Sequence, residues 1–132
     1  MANVLYNKAK ESFISQNPSI DLDTDTIKVA LVDTGTYTFS AAHQFYSSVT
    51  GVVGTPATLA SKTITNGVFD AADVTFTAVT GASVEALVVY KDTGSAATSP
   101  LIAFIDTGTN LPVTPNGGDI TIQWNASGIF SI

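Results

Sequence analysis

Three aspartates stand in the same local setting: Asp33-Thr34-Gly35, Asp92-Thr93-Gly94 and Asp106-Thr107-Gly108. Each follows a run of apolar residues. Two aspartates held this way at strand ends can share one proton and activate a water for hydrolysis of a peptide bond, because like charges in contact cannot both ionise. Asp33 (ALVDTGT) and Asp106 (AFIDTGT) form the pair with the most similar surroundings. Three observations count against an aspartic protease. Two-lobed enzymes of that kind are far longer than 132 residues. A half-enzyme carries one such triplet and a later apolar-apolar-glycine element, and none follows Asp33 convincingly. A third copy, after Val89-Tyr90-Lys91, has no role to play. A structural reading covers all three triplets. The aspartate caps a turn through its side chain, threonine is tolerated, and glycine supplies positive φ where a strand reverses.

The other chemistry-bearing residues are few. Asp21, Asp23 and Asp25 alternate as calcium ligands do. A twelve-residue calcium loop starting at Asp21 needs glycine at its sixth position and glutamate at its twelfth, where this chain has Thr26 and Val32. An acidic, solvated approach to a strand accounts for the run. His43 is the sole histidine and sits beside Phe45 and Tyr46 without clustered carboxylates, so it is assigned no catalytic role. Cysteine is absent, which removes disulfides, iron–sulfur clusters and thiol nucleophiles. Nucleophile elbow, phosphate loop, dinucleotide fingerprint and paired metal-binding histidines are all missing. Asn125-Ala126-Ser127 fits a glycosylation sequon, but nothing points to secretion. The reading is of a non-enzymatic protein with no cofactor and no metal.

Charge narrows the partners. The chain has a formal net charge of −6, five lysines and no arginine. Nucleic-acid binding draws on several cations to displace phosphate counterions, and base readout leans on arginine, so direct nucleic-acid binding is excluded as a function. Anionic membrane surfaces are disfavoured for the same reason. No apolar run reaches the roughly 20 residues of a membrane span. The opening MANVLYNKAKESF places its lysines after its apolar residues and lacks a long apolar core, so it does not read as a signal peptide, and synthesis in a cytosol is expected.

The elements that must carry these residues are mostly strands. Val74 to Ala78 alternates apolar residues with threonine, the period of a half-buried strand. Val84 to Lys91 and Leu101 to Ile105 are apolar on both faces, as strands in the middle of a sheet are. The three are expected to form a meander around which the fold is organised. Ile27 to Asp33 is a further buried strand. Ala57 to Thr65 reads as another, anchored by Leu59 and Ile64, and Asn66-Gly67 is a hairpin turn leading to Val68 and Phe69. Ile120 to Trp124 alternates cleanly, with Ile120, Ile122 and Trp124 facing in. Ile129, Phe130 and Ile132 close the chain as a short strand.

Two helices are expected. Val4 to Ile14 carries an apolar stripe at Leu5, Ala9 and Phe13, can be capped by Asn3 and is ended by Asn17-Pro18. That stripe must pack on something, either the protein's own sheet or a neighbouring subunit. Ser40 can cap a short internal helix over Ala41 to Ser48. Val49 to Pro56, with two glycines and a proline, reads as an ordered loop. Its valines either expose an apolar contact surface or fold back on the core. A chain of this length is one domain able to bury roughly 68% of its unfolded surface. It divides into an N-terminal helical segment (1–17) and a β core (26–132). With several strands apolar on both faces, the expected fold is a mainly β, antiparallel sandwich or partly closed barrel with those two helices.

Several stretches resemble small structural proteins of the virions of tailed bacteriophages and prophages. They are LYNKAKE (5–11), DTDTIKVALVD (23–33), GVFDAADVTF (67–76), ALVVYKDTG (86–94), SPLIA (99–103) and PNGGDI (115–120), and together they span nearly the whole chain. The resemblance implies a capsid decoration (cement) protein, which binds the outside of the assembled shell, often as a trimer, and bridges major capsid protein subunits. It implies as partners the major capsid protein and further copies of the chain, and as location the outer capsid surface after synthesis in the host cytoplasm. The contact surface expected on this basis comprises Leu5, Tyr6 and Phe13, together with Phe45, Tyr46, Val49, Val52 and Val53. A tail or head–tail joining component is the alternative of the same class. A ligand-binding β-sandwich, such as a carbohydrate-binding module, is the alternative of another class. It would present exposed aromatic residues, whereas Trp124 alternates with inward isoleucines.

Overall fold

A computed structural model describes residues 3–106 and 111–132. Among these described residues, ten strands alternate with one α-helix and two isolated 3-10 turns. The strands are β1 (Val4–Leu5), β2 (Ile27–Val32), β3 (Val52–Thr58), β4 (Thr63–Thr65), β5 (Val68–Asp70), β6 (Val74–Phe76), β7 (Ala86–Lys91), β8 (Leu101–Ile105), β9 (Ile120–Ile122) and β10 (Phe130–Ser131). The helix, α1, spans Asn7–Ser15. All strand pairs are antiparallel. A five-stranded sheet has the order β1-β8-β7-β2-β3, a three-stranded sheet the order β10-β5-β4, and β6 pairs with β9. The sheets are not closed into a barrel, so the sandwich alternative is the one realised.

The large sheet is buried on both faces because β2, β7 and β8 are apolar at every position but their lysines. Residues on one face, among them Ile27, Val29, Leu31, Leu87, Val89 and Ile102, meet Phe69, Val74, Phe76, Ile120 and Ile122 of the smaller sheets. The opposite face, with Ala30, Val32, Ala86, Val88, Tyr90 and Phe104, is covered by α1 and by the chain between Tyr37 and Val49. The large sheet is therefore the middle of three layers.

Local chemistry places the hairpin as expected. Thr65 faces Val68 across a two-residue turn in which Asn66 and Gly67 both have positive φ (53° and 78°). That is the geometry whose twist matches paired strands. A methyl group on Gly67 would lie 2.7 Å from the Ile132 carbonyl, so the close approach of the last residue also selects glycine here.

Elsewhere the expectations change. β7 neighbours β8, but β6 does not join them: it crosses to the other layer and pairs with β9, so the three-stranded meander is not formed. Val49 to Pro56 is not a loop throughout, since Val52 begins β3, the edge strand beside β2. The irregular register between Val29 and Leu31 fits Gly54 at φ 70°, and Pro56 is tolerated because an edge strand needs only one row of hydrogen bonds. The strand expected over Ala57 to Thr65 is split. Leu59 is buried, as an anchor should be, but Ile64 on the outer strand β4 is 50% exposed.

The N-terminal helix begins later than expected. Val4 and Leu5 pair with β8, Tyr6 is the residue before the first turn, and Asn3 does not cap: its Oδ1 accepts the Asp106 N–H at 3.0 Å. The internal helix over Ala41 to Ser48 reduces to a single 3-10 turn at Tyr46–Ser48. Ser40 caps a tight turn instead, accepting the Ala42 N–H. With few apolar residues to pack, the segment is held by backbone bonds to the sheet: Tyr46 N–H to Ser99 O, and Leu101 N–H to Gln44 O.

Candidate functional site

The three aspartate triplets fall at strand ends, as their sequence suggests, but they do not converge. Asp33 follows β2 and Asp106 follows β8, and β7 lies between those strands. Two strand spacings separate them, roughly 10 Å. Asp92 follows β7, which runs the opposite way, and so sits at the far end of the sheet. Both oxygens of Asp33 are engaged in its own turn, Oδ1 by the Gly35 N–H (2.9 Å) and Oδ2 by the Thr36 hydroxyl (3.2 Å). Asp92 accepts the Gly94 N–H at 3.0 Å and pairs with Lys28 at 3.2 Å. These bonds, the Gly94 N–H first, hold its carboxyl below the usual range. Gly94 has the positive φ expected of a turn glycine, and Gly35 does not. Thr107 and Gly108 lie outside the described residues. A shared-proton dyad needs carboxylates in contact; β7 separates Asp33 from Asp106, and Asp33 and Asp92 cap their own turns.

The acidic run folds on itself. The Asp21 carboxylate accepts the Asp23 and Thr24 N–H groups, and Asp25 accepts the Asp21 N–H at 2.7 Å. Asp25 also pairs with Lys91 at 3.1 Å, while its carbonyl accepts from Lys62. The side-chain bond from Thr24, aided by the two N–H groups, lowers the Asp21 carboxyl from its ordinary value. Among the described residues no group of three histidine, cysteine or acidic side chains is placed to hold a metal ion.

A cleft of about 510 Å³ opens where β7 and β8 meet the segment after β2. Tyr37, Phe39 and Phe104 form its aromatic wall, and Glu85 and Asp106 its polar one. Glu85 is already engaged: Oε1 accepts from the Thr34 N–H and hydroxyl, and Oε2 from Ser83 at 2.6 Å. It ties the turn after β2 to the start of β7. Trp124 packs in part against the aliphatic core. It is half-buried, and its indole N–H donates to the Ala72 carbonyl at 3.1 Å.

The residues expected to form a contact surface are placed mainly on or near the helix-covered face. Tyr6 is fully buried, and Val53 is buried against the opposite core. Both are occupied by the protein's own interior and are not available as contacts. Leu5, Phe13, Phe45, Tyr46, Val49 and Val52 are half-buried. Phe13 touches both cores, Leu5 the aliphatic one, and Tyr46, Val49 and Val52 the aromatic one. Tyr46 stacks on Tyr90 with centroids 4.0 Å apart and planes 9° from parallel. Burial raises both hydroxyls above the usual tyrosine value. The structure therefore brings Tyr46, Val49 and Val52 together around one core and separates them from Val53, whose side chain points to the other face of the same strand.

Large apolar side chains on the surface lie elsewhere: Ile14 on α1 is 87% exposed, Ile132 68% and Ile64 50%. Ile14 lies off the spacing of Ala9 and Phe13, on the outward face of α1, where a single apolar residue makes no periodic pattern. Among the described residues, no helix is long and apolar enough to cross a membrane. The chain matches no protein-family model and no curated protein.

Proposed function

We propose that the protein is a non-enzymatic structural component of a tailed-phage virion, decorating the capsid by bridging major capsid protein subunits. The observation that carries this reading is the resemblance over LYNKAKE, DTDTIKVALVD, GVFDAADVTF and ALVVYKDTG. These stretches supply α1, β2, β5, β6 and β7, so they coincide with the framework rather than with one loop. Two further points support it. Asp33 and Asp92 are engaged as turn caps, and β7 lies between the strands that end at Asp33 and Asp106. An acidic, arginine-free surface suits the outside of a particle, where affinity for the packaged genome would be a liability. A protein that binds only the assembled shell stabilises it by mass action, and many weak copies add up.

Exposure now selects the probes. Ile14 and the accessible edges of Phe13 and Phe45 are the apolar groups this reading would place against a capsid, since they cost least to cover and most to leave wet. The test is co-sedimentation with empty shells of the phage or prophage that encodes the chain, together with its solution mass. Saturable binding at a copy number matching the lattice is expected, with binding weakened at least tenfold in Ile14→Asp and Phe45→Ala and folding unchanged in Ile14→Asp. Assembly into rings or tubes without shell binding would move the protein to the tail. A monomer doing neither would overturn the virion reading.

A further inference from the structure

Three side chains form a continuous hydrogen-bonded line from the core to the surface. The Tyr6 and Tyr37 hydroxyls are 2.9 Å apart, and the Tyr37 hydroxyl is 2.8 Å from His43 Nδ1. Tyr6 is 0% and Tyr37 2% exposed, while His43 is half-buried. The Tyr6 hydroxyl has no other hydrogen-bond partner among the described residues. Burial, with the Tyr37 bond adding to it, pushes its ionisation far above neutral pH, so it carries a proton under all ordinary conditions.

These facts set the direction of the line. The buried Tyr6 proton has one place to go, the Tyr37 oxygen. Tyr37 must then give its own proton to His43 Nδ1, which serves as acceptor only if the imidazole is neutral with its hydrogen on Nε2. Protonating the ring puts a hydrogen on Nδ1, and His43 then donates to Tyr37 instead of accepting from it. The two tyrosines are left with one bond between them and two hydroxyl protons, so one buried proton, of Tyr37 or of Tyr6, has no acceptor. A buried donor without a partner is costly.

We infer that Tyr6, Tyr37 and His43 form a proton-operated latch: a neutral His43 holds the segment Tyr37 to His43 on the aromatic face of the large sheet, and protonation of His43 releases it. This rests on geometry alone and is independent of the virion reading. The segment is suited to release. It has no regular secondary structure, and few backbone bonds tie it down: Tyr37 N–H to Asp33 O, His43 N–H to Ser40 O, and Asn7 N–H to Ala41 O.

Apart from His43, residues 34–50 contain no charged side chain. α1, which meets the segment at Ala41, carries Lys8, Lys10 and Glu11, of which Lys8 and Glu11 pair at 3.1 Å. Glu85 and Asp106 lie on the cleft side of Tyr37. The sheet face beneath presents Phe104 and Tyr90, with Lys28 and Asp92 paired at its far end. None of these charges forms a hydrogen bond or ion pair with His43 among the described residues. Asp21 and Asp92 are held below the ordinary carboxylate range, so the stability they contribute is kept above about pH 4 and lost only as pH falls further. A change between pH 7.5 and 5.5 is not theirs.

The test is nitrogen-resolved NMR of the single imidazole with amide exchange at Asn7, Tyr37 and His43, in wild type, His43→Gln and Tyr37→Phe. The expected ring at pH 8 carries its hydrogen on Nε2. Between pH 7.5 and 5.5, exchange at the three amides, corrected for the intrinsic effect of pH, should quicken on the order of tenfold in wild type. It should stay flat in His43→Gln, whose amide oxygen accepts from Tyr37 at any pH, and in Tyr37→Phe, where the line is cut. A hydrogen on Nδ1 at pH 8 overturns the latch, as does a flat wild-type response or an acid response that survives in Tyr37→Phe. Should Tyr37→Phe fail to fold, the tautomer and the wild-type response decide the matter.

Discussion

The two faces of the large sheet solve the same burial problem with different chemistry. On one, Val29, Leu31, Leu87, Val89 and Ile102 meet the strands of the smaller sheets, and cohesion there depends on apolar area and fit. On the other, small residues such as Ala30 and Ala86 leave room for Tyr6, Tyr37, Phe39 and Phe104, whose rings lie 4.7 to 6.2 Å apart. Three buried tyrosines bring hydroxyls into that layer, and the cover is one short helix with a length of irregular chain. Paired strands satisfy their own backbone groups and can cover a face with side chains of any shape. Irregular chain cannot, so its cover relies on specific hydrogen bonds. The first face is expected to depend above all on filled apolar volume, and the second on individual oxygens as well.

Four substitutions break or sharpen that contrast. Phe76→Ala, at a site 2% exposed on the aliphatic side, should have the largest effect, about 3–5 kcal/mol by denaturant unfolding, because it removes a ring from between two sheets that can collapse only partly. Adding and removing one oxygen comes next. Val89→Thr places a hydroxyl with no partner in the aliphatic layer, and Tyr37→Phe removes one from the aromatic layer. Each should cost about 1–3 kcal/mol although the two changes are chemically opposite. A Val89→Thr protein as stable as the parent would mean that the aliphatic face also holds hydrogen-bond acceptors. Smallest is Glu11→Ala, which breaks an exposed pair with Lys8 on the outer side of α1 and should shift stability by less than about 0.5 kcal/mol. A larger loss would show that the helix's outer side matters to its docking.

Much of this was legible from the chain where the cause is local. The double-faced apolar runs at 27–33, 84–91 and 101–105 could only be central strands. Asn66-Gly67 could hardly be other than a hairpin, since both residues accept positive φ. Leu59, Ile120 and Ile122 were recognisable as core by alternation. The departures also share a cause. Asn3 suits a helix cap by its neighbours, but β8 offers Val4 and Leu5 a strand partner, and pairing outweighs two residues' worth of helix. Ala41 to Ser48 has helix-compatible residues but no stripe to dock, so the sheet took its backbone bonds instead.

The sequence by itself determined that the chain would be β-rich, cysteine-free, acidic and built on three apolar strands. Those properties follow from residue type and near-neighbour pattern. Only the tertiary structure decided that β6 pairs with β9 some 46 positions away, measured from Thr75 to Thr121. It alone kept the two tempting aspartates apart by threading β7 between them. It also set Tyr6 against Tyr37 and His43, making a line of three residues that have nothing in common as sequence. Strand order and the meeting of distant side chains depend on how faces are matched and covered across the whole chain. That choice is made by burial summed over all the elements, and no local stretch contains it.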